Sequence, residues 1–419
     1  MSSLAVGPEL PPDVDRQLEG LPAAELAVSV LTYNNAATVP AVLDAVRNGL
    51  EKHFAGIQPV LINADAGSSD ATVERLVESG LPLVRAQHEA PAAQLGAVPF
   101  HGVPGRGAAL RLAVGVARRL GVRALLVLEA DVTSVRGEWL ERLARPVLEQ
   151  GADLVMPVHA RHRYDGTITN LVLAPLVGAL FGRRLHQPLS GPRALSARLL
   201  ERLAGETRWP ESERSIADLW IAGTAVAEGL SVHEARLGRW RVESSTRTTD
   251  LPTMVAETLG AVFAVMDEYE DLWLQIANWL PVPAEGPAVL PSDEPVQIDV
   301  DRMVGAFSRG LRDLGTIWEH VLAPETLGDV LSLETDDLER FRFPDDLWAR
   351  VVYDFALGHH WSVVYRDHLL RSLVPLYLGR TAALVLATRR QDAAAVESAL
   401  DAVADAFERE KSYLVDRWR

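Results

Sequence analysis

The sequence predicts an α/β protein in which a mainly parallel, doubly wound sheet domain over residues 26–250 is followed by an all-helical C-terminal section over residues 251–419. Three observations predict it. Strand-like apolar stretches alternate with stretches of helical spacing through the first part of the chain, the order that produces parallel βαβ units. The run Ala124-Leu125-Leu126-Val127-Leu128 has the length and bulk of a strand buried on both faces. Beyond residue 251 the apolar residues Leu259, Val262, Phe263, Met266, Tyr269 and Trp273 fall at the three-and-four spacing of one helix face.

Taken in order, residues 1–25 read as a loose tail, whose prolines and acidic residues replace the basic region and apolar block of a secretory signal. Residues 26–31 form a strand, Thr32-Tyr33-Asn34-Asn35 a polar turn, and 37–50 a helix. The unit repeats with a strand at 59–63, the loop Asp65-Ala66-Gly67-Ser68-Ser69-Asp70 and a helix at 71–78, for which Asp70 is the expected N-cap. A short strand at 82–85 leads to the loop Gly102-Val103-Pro104-Gly105-Arg106-Gly107 and a helix at 108–120. After the apolar strand at 124–128, further strands are expected at 153–158 and 230–235, a helix at 215–229, and a helix capped by Ser196. The sheet closes near Arg241. One helix is expected over 255–279, a Pro-rich connector over 281–295, and long helical stretches over 345–374 and 392–417.

A chain of 419 residues exceeds one ordinary core, so two domains, or one with a large helical extension, are expected. Its 48% hydrophobic and 23% charged residues describe a globular protein, and the apolar run 171–181, broken by Pro175 and Gly178, is too short to span a bilayer. A formal net charge of −16 argues against nucleic acid or an anionic membrane as the main partner. Cysteine is absent, which excludes disulfides, thiolate metal sites and a thiol nucleophile, and fits a cytoplasmic location.

The motif with most chemical content is Glu129-Ala130-Asp131, two carboxylates at the carboxyl end of a buried strand. Open α/β sheets bind ligands there, and hard cations such as Mg²⁺ and Mn²⁺ take carboxylate, phosphate and water oxygens. The competing reading is an acidic loop that merely follows a strand. Gly105-Arg106-Gly107 opens a helix and fits a phosphate cradle, with Arg106 able to grip two oxygens, or else a plain turn. Asp65 ends a strand, where it can accept from a base or ribose or simply cap a turn. His159-Ala160-Arg161-His162-Arg163-Tyr164 suits an acidic ligand or forms a solvated loop. His359-His360 and the tryptophans Trp273, Trp279, Trp318 and Trp348 read as structural. Hydrolase-elbow, zincin and dinucleotide motifs are absent from the sequence.

Taken together, Val28-Ser29-Val30 with its Asn34-Asn35 turn, the 65–70 loop, Gly105-Arg106-Gly107 and Glu129-Ala130-Asp131 resemble the nucleotide-sugar domain of GT-A glycosyltransferases. Gln187-Pro188-Leu189-Ser190-Gly191 and the segment 250–265 look like the mannosylglycerate synthase and glucosyl-3-phosphoglycerate synthase families. The resemblance covers residues 26–280 and implies a retaining glycosyltransferase. It would move glucose or mannose from a nucleotide diphosphate sugar to a small acidic acceptor such as glycerate or 3-phosphoglycerate, with Mg²⁺ or Mn²⁺.

Residue by residue, the resemblance makes Thr32 and Asp65 contacts to the nucleoside, with Asn35, Gly67, Gly105, Gly107 and Ala130 lining the nucleotide-sugar site. It makes Arg106 the diphosphate cation, Asp131 the principal metal carboxylate and Glu129 a ribose or metal-water ligand. Leu189, Ser190, Gly191 and Arg163 would border sugar and acceptor, and Asp218 would stand near the reacting centre. The helical section would shape the acceptor pocket or a homodimer interface. Three positions depart from the pattern. Asn35 replaces an acidic residue, Glu129 replaces an aspartate, and Val242 stands where a metal-binding histidine is expected, leaving Glu243 as the substitute ligand. Two rivals follow: a sugar-nucleotide-binding protein with impaired catalysis, and, less favoured, a nucleotidyltransferase.

Overall fold

The structure, a computed structural model, describes residues 10–90, 103–206, 209, 214–242, 251–288, 298–334 and 337–419. The chain divides into two compact units, one formed by Met1–His159, Leu189–Thr249 and Val282–Val289, the other by Ala160–Pro188, Asp250–Pro281 and Leu290–Arg419.

The first unit is built on an eight-stranded sheet. Its strands are β1 (Leu26–Thr32), β2 (Pro59–Asp65), β3 (Leu83–Gln87), β4 (Ala124–Glu129), β5 (Leu154–Ala160), β7 (Arg193–Ser196), β8 (Val232–Arg239) and β10 (Ala284–Glu285), while β6 (Arg183–Arg184) and β9 (Leu280–Pro281) form a separate parallel pair in the second unit. The order is β10-β8-β5-β7-β4-β1-β2-β3. β1 runs parallel to both β2 and β4, and β2 to β3, with Leu31 opposite Glu129 and Thr32 opposite Asp65. This register brings the carboxyl ends of β1, β2 and β4 to one edge. The expected mainly parallel α/β sheet is present, and β7 enters it antiparallel to β4 and β5.

Every residue of β1 and β4 is buried, as a parallel sheet covered on both faces requires. On one face Leu26, Val28, Val30, Leu126 and Leu128 share a cluster with helices Val39–His53 and Gly137–Glu149. These helices touch through Gly49 and Gly137, where a Cβ on Gly49 would lie 2.8 Å from the Gly137 carbonyl. Helix Arg106–Leu120 packs against β1 and β2 outside that cluster, so the sheet is wound on both sides.

Local differences from the sequence reading have physical causes. Pro12–Leu18 is a helix with Val14 buried, and Gln17 pairs with the backbone of Arg85 on the edge strand β3, so this stretch is not a loose tail. Helix Arg106–Leu120 starts two residues earlier than expected because Gly105, at φ 63°, supplies its left-handed N-cap. Asp70 sits one residue before the N-cap Ala71 and accepts from the Thr72 amide. Part of the Pro-rich connector becomes β10, which pairs with β8 through Ala284 and Glu285. Ser196 caps helix Ala197–Ala204 by accepting from Leu199, as expected.

The second unit is helical, and its helix over 255–279 is in fact two, Leu251–Glu268 and Glu270–Trp273. Buried tryptophans anchor it: Trp273, Trp318 and Trp348 donate their indole N–H to the carbonyls of Met266, Ser372 and Leu171. Lys411 is buried with its ammonium on the carbonyls of Ala179 and Ile276. His360 pairs with Asp267 at 2.7 Å. The stretch Arg366–Thr388 has the length and apolar character of a membrane span, and 78% of its most apolar window is buried inside the fold, as befits a core helix.

Candidate active site

At the ends of β1 and β2 a single carboxylate organises two loops. Asp65 accepts from Thr32 Oγ1 at 2.6 Å, from the Gly67 and Ser68 amides at 2.9 and 2.7 Å, and from Ser68 Oγ at 2.6 Å. These donors match the roughly four acceptor positions of a carboxylate, so a nucleoside reaching Asp65 has to displace one of them. Thr32 Oγ1 in turn accepts from Asn63. The turn after β1 is tied to the loop after β2: Asn34 donates to Ser68 Oγ, Ala36 to Asp70 and Asn35 to Thr72 Oγ1. The side-chain oxygen of Asn35 is held by the Tyr33 amide. Gly67, at φ 85°, makes the tight turn possible. Thr32, Asn35, Asp65 and Gly67 are therefore brought together.

Gly105 is required twice. Its left-handed φ disfavours other residues, and a Cβ would lie 2.8 Å from the Glu89 carbonyl. His88 reinforces this junction by facing the Pro104 carbonyl through Nε2 at 3.0 Å. Gly107 offers its carbonyl to the indole of Trp209.

From this glycine turn Arg106 points into the interior rather than to an open surface. Its Nη1 lies 2.7 Å from Glu129 Oε1 and its Nε 2.9 Å from Asp218 Oδ2. Arg193, the first residue of β7, reaches Asp218 Oδ1 with Nη2 at 2.6 Å. The same Nη2 donates to the Ser190 carbonyl at 2.7 Å, and Nε to the Gly191 carbonyl at 3.2 Å. Gly191 lies against Glu129 so closely that a Cβ would sit 2.1 Å from its carboxyl carbon. Arg106, Glu129, Arg193 and Asp218 are all buried, none more than 3% exposed. Burial pushes the Arg106 guanidinium down, but Asp218 and Glu129 overcome it and hold the group above its ordinary range. For Arg193 burial wins and the shift is downward, with Asp218 opposing it. Both stay charged, since arginine does not deprotonate in proteins.

Asp131 is buried just past β4, near enough to contribute to the charge around Arg106. The next residue, Val132, forms an antiparallel bridge with Val242, and Thr133 and Arg241 are hydrogen-bonded. The position expected to carry the metal-binding histidine is thus beside the acidic turn, but Val242 packs on the hydrophobic cluster of the sheet. Glu243 lies outside the described residues. Among the described residues, His, Asp and Glu side chains form no group of three suited to a metal. With Glu129 paired to Arg106, the donor set fits a cation that takes one carboxylate, Asp131, and completes its shell with phosphate oxygens and water, the usual habit of Mg²⁺.

Of the other predicted residues, Ala130 is buried with its amide on the Leu31 carbonyl, and Leu189 is half-buried beside Ser190 and Gly191. Arg163 belongs to the second unit, where it donates to the Gln391 carbonyl and stacks on Tyr164. His159 is buried between the rings of Trp139 and Trp240, at 5.0 and 4.5 Å. A cleft of about 860 Å³ opens between Asp44, Asn48, Lys52, Arg136 and Glu138, none of them a predicted site residue. The sequence reading missed Arg193, Ser68 and Asn63. The available signal for Arg193 was a cation beside an apolar strand, two residues after Gly191.

No protein-family model and no curated protein sequence matches the chain. The solved structures similar to it include glucosyl-3-phosphoglycerate synthase from Mycobacterium tuberculosis. Its complex with Mn²⁺ and UDP-glucose aligns with a TM-score of 0.43 at 23% identity, over 62% of this chain and 83% of that one. Its complex with Mg²⁺ and UDP aligns with a TM-score of 0.42 at 20% identity, over 62% and 84%. These are partial likenesses of shape, and the site described above rests on the residues of this chain.

Proposed function

We propose that the chain is a cytoplasmic, metal-assisted retaining glycosyltransferase that moves glucose or mannose from a nucleotide diphosphate sugar to a small acidic acceptor such as glycerate or 3-phosphoglycerate. The observation that carries this reading is the convergence of Thr32, Asp65, Glu129 and Asp131 at one edge of a parallel sheet, beside the glycine-led start of helix Arg106–Leu120. That edge is where α/β sheets take nucleotides. Asp131 would hold Mg²⁺ or Mn²⁺, which supplies positive charge to the departing diphosphate. Thr32 and Asp65 order the loops for the nucleoside, and Arg106 holds Glu129 and Asp218 in place behind the acidic turn. Asp218, gripped by two arginines, stands at the proposed reacting centre with Leu189, Ser190 and Gly191. The acceptor hydroxyl attacks the anomeric carbon on the face the diphosphate leaves, the new glycosidic bond replaces the bond to phosphate, and the hydroxyl proton passes to the leaving oxygen. Configuration is retained. The helical section is assigned to a homodimer contact.

A second reading, a sugar-nucleotide-binding protein with impaired catalysis, is favoured by the core packing of Val242 and the pairing of Glu129 with Arg106. Incubation with UDP- and GDP-hexoses against glycerate, phosphoglycerate and simple sugars, with and without Mn²⁺, decides between them. Glycoside formation with an acidic acceptor supports the transferase; nucleotide binding without turnover on any acceptor supports the second reading. Release of hexose 1-phosphate in place of UDP or GDP would instead indicate nucleotidyl transfer.

A further inference from the structure

We propose that Arg193 is a positioning residue that locks Asp218 to the Ser190–Gly191 backbone, closing a buried ring of contacts on which the transfer geometry depends. The ring runs from Glu129 to Arg106, to Asp218, to Arg193, to the Gly191 carbonyl, and back to Glu129, against which Gly191 packs. It deepens the transferase reading and rests on it for the catalytic part of its test.

Three features give Arg193 this role. It is wholly buried, so its fork is not a surface ornament. It stands in β7 opposite Val127 of β4, so its backbone is fixed by the same strand that ends in Glu129 and leads to Asp131. It is also the member of the ring that forms an ion pair with a carboxylate through Nη2 while donating to two backbone carbonyls through Nη2 and Nε. A planar guanidinium can satisfy acceptors in three directions at once, whereas an ammonium on a flexible stem cannot hold them in one plane. The two segments it joins are the one carrying Asp218 and the one assigned to sugar and acceptor. Loss of Arg193 releases Asp218 on one side and the loop on the other, while the Thr32–Asp65 cluster at β1 and β2 keeps its own hydrogen bonds.

The test uses the full chain as Arg193→Met, Arg193→Lys, Asp218→Asn and the Arg193→Met/Asp218→Asn double variant, each checked for folding by circular dichroism. With the active donor and acceptor pair, Arg193→Met is expected to lower kcat by about 100-fold, the order reached when reacting groups shift by an ångström. UDP or GDP affinity by calorimetry and the donor KM should change less than about threefold, because uniform binding is untouched. Arg193→Lys should recover part of kcat, and the double variant should be no slower than Asp218→Asn alone. Multiplying losses in the double variant, an equal loss of nucleotide affinity, or unchanged turnover would overturn the proposal. Hydrogen exchange supplies a readout free of activity: in Arg193→Met, or in Arg193→Lys if the former does not fold, amides 189–191 should exchange faster while amides 65–69 do not. Unchanged exchange at 189–191 overturns the positioning role. A wild-type chain that turns over no sugar removes the transferase reading and leaves the exchange result to decide whether Arg193 holds the loop.

Discussion

Arg106 and Asp218, 112 residues apart in the chain, meet at 2.9 Å in a buried ion pair whose guanidinium also reaches Glu129 at 2.7 Å. The pair makes one end of helix Arg106–Leu120 a fixed part of the sheet edge. Two carboxylates share this cation, so its removal leaves both under-compensated in a dry interior.

Arg106→Met should therefore destabilise the first unit by about 3–5 kcal/mol, the usual result of deleting one partner of a buried pair. Arg106→Lys should cost less, because it keeps the charge but loses the fork. Urea unfolding followed by tryptophan fluorescence measures both. A change near zero for Arg106→Met would mean that water reaches the pair and that it does not hold the site together.

Asp131→Ala tests the proposed cation directly. Its expected effect is loss of Mn²⁺-dependent turnover with an unchanged far-ultraviolet spectrum, since Asp131 lies past the end of β4 rather than in its core. Direct Mn²⁺ binding in the presence of UDP, read by electron paramagnetic resonance, should fall in parallel. Turnover that survives the substitution would remove Asp131 from the metal role.

The sheet was legible wherever an apolar run stopped abruptly at polar residues, as at Thr32, Asp65 and Glu129, because a strand buried on both faces must be apolar along its length. Ser196 was legible as a cap for a local reason: its oxygen serves an amide three residues on. What periodicity cannot carry is partnership across the chain. Arg106 was identified as a cation at a helix start, yet nothing near it in sequence shows that Asp218 and Glu129 turn it inward. Arg193 lies just past the 187–191 motif, which does not include it, and its role follows from β7 entering the sheet antiparallel to β4. β10 was hidden in a Pro-rich stretch because its pairing is two residues long and is dictated by β8.

Gly105→Ala probes the glycine turn apart from the charges. A left-handed φ of 63° costs a β-carbon residue about 1–2 kcal/mol, and the added Cβ would also press on the Glu89 carbonyl at 2.8 Å. The sum should exceed the strain alone, so a loss greater than about 2 kcal/mol is expected, with weakened nucleotide binding because the start of helix Arg106–Leu120 shifts. Gly121→Ala is the control: that glycine has a φ of 69° and nothing within 4 Å of its Cβ. Equal losses at the two positions would show that contact with Glu89 contributes nothing.

His88 gives the same junction an acid sensitivity. The Pro104 carbonyl can only accept, so Nε2 carries the proton that faces it, and the buried Nδ1 has no hydrogen-bond partner among the described residues. Protonation would place a second N–H where no acceptor stands among the described residues, and burial accordingly holds the pKa below its ordinary value of 6.5 despite the Pro104 carbonyl and Asp65 nearby. Below that value the unfolded chain takes up a proton that the native chain refuses, so stability is complete above it and declines as pH falls through it. His233 is shifted the same way, again chiefly by burial. The thermal midpoint of the first unit should drop between about pH 7 and about pH 5, and the slope should be shallower in His88→Gln, which keeps a donor for Pro104 without a titrating ring. Differential scanning fluorimetry across that range measures it, and parallel slopes for wild type and variant would assign the acid response to other groups.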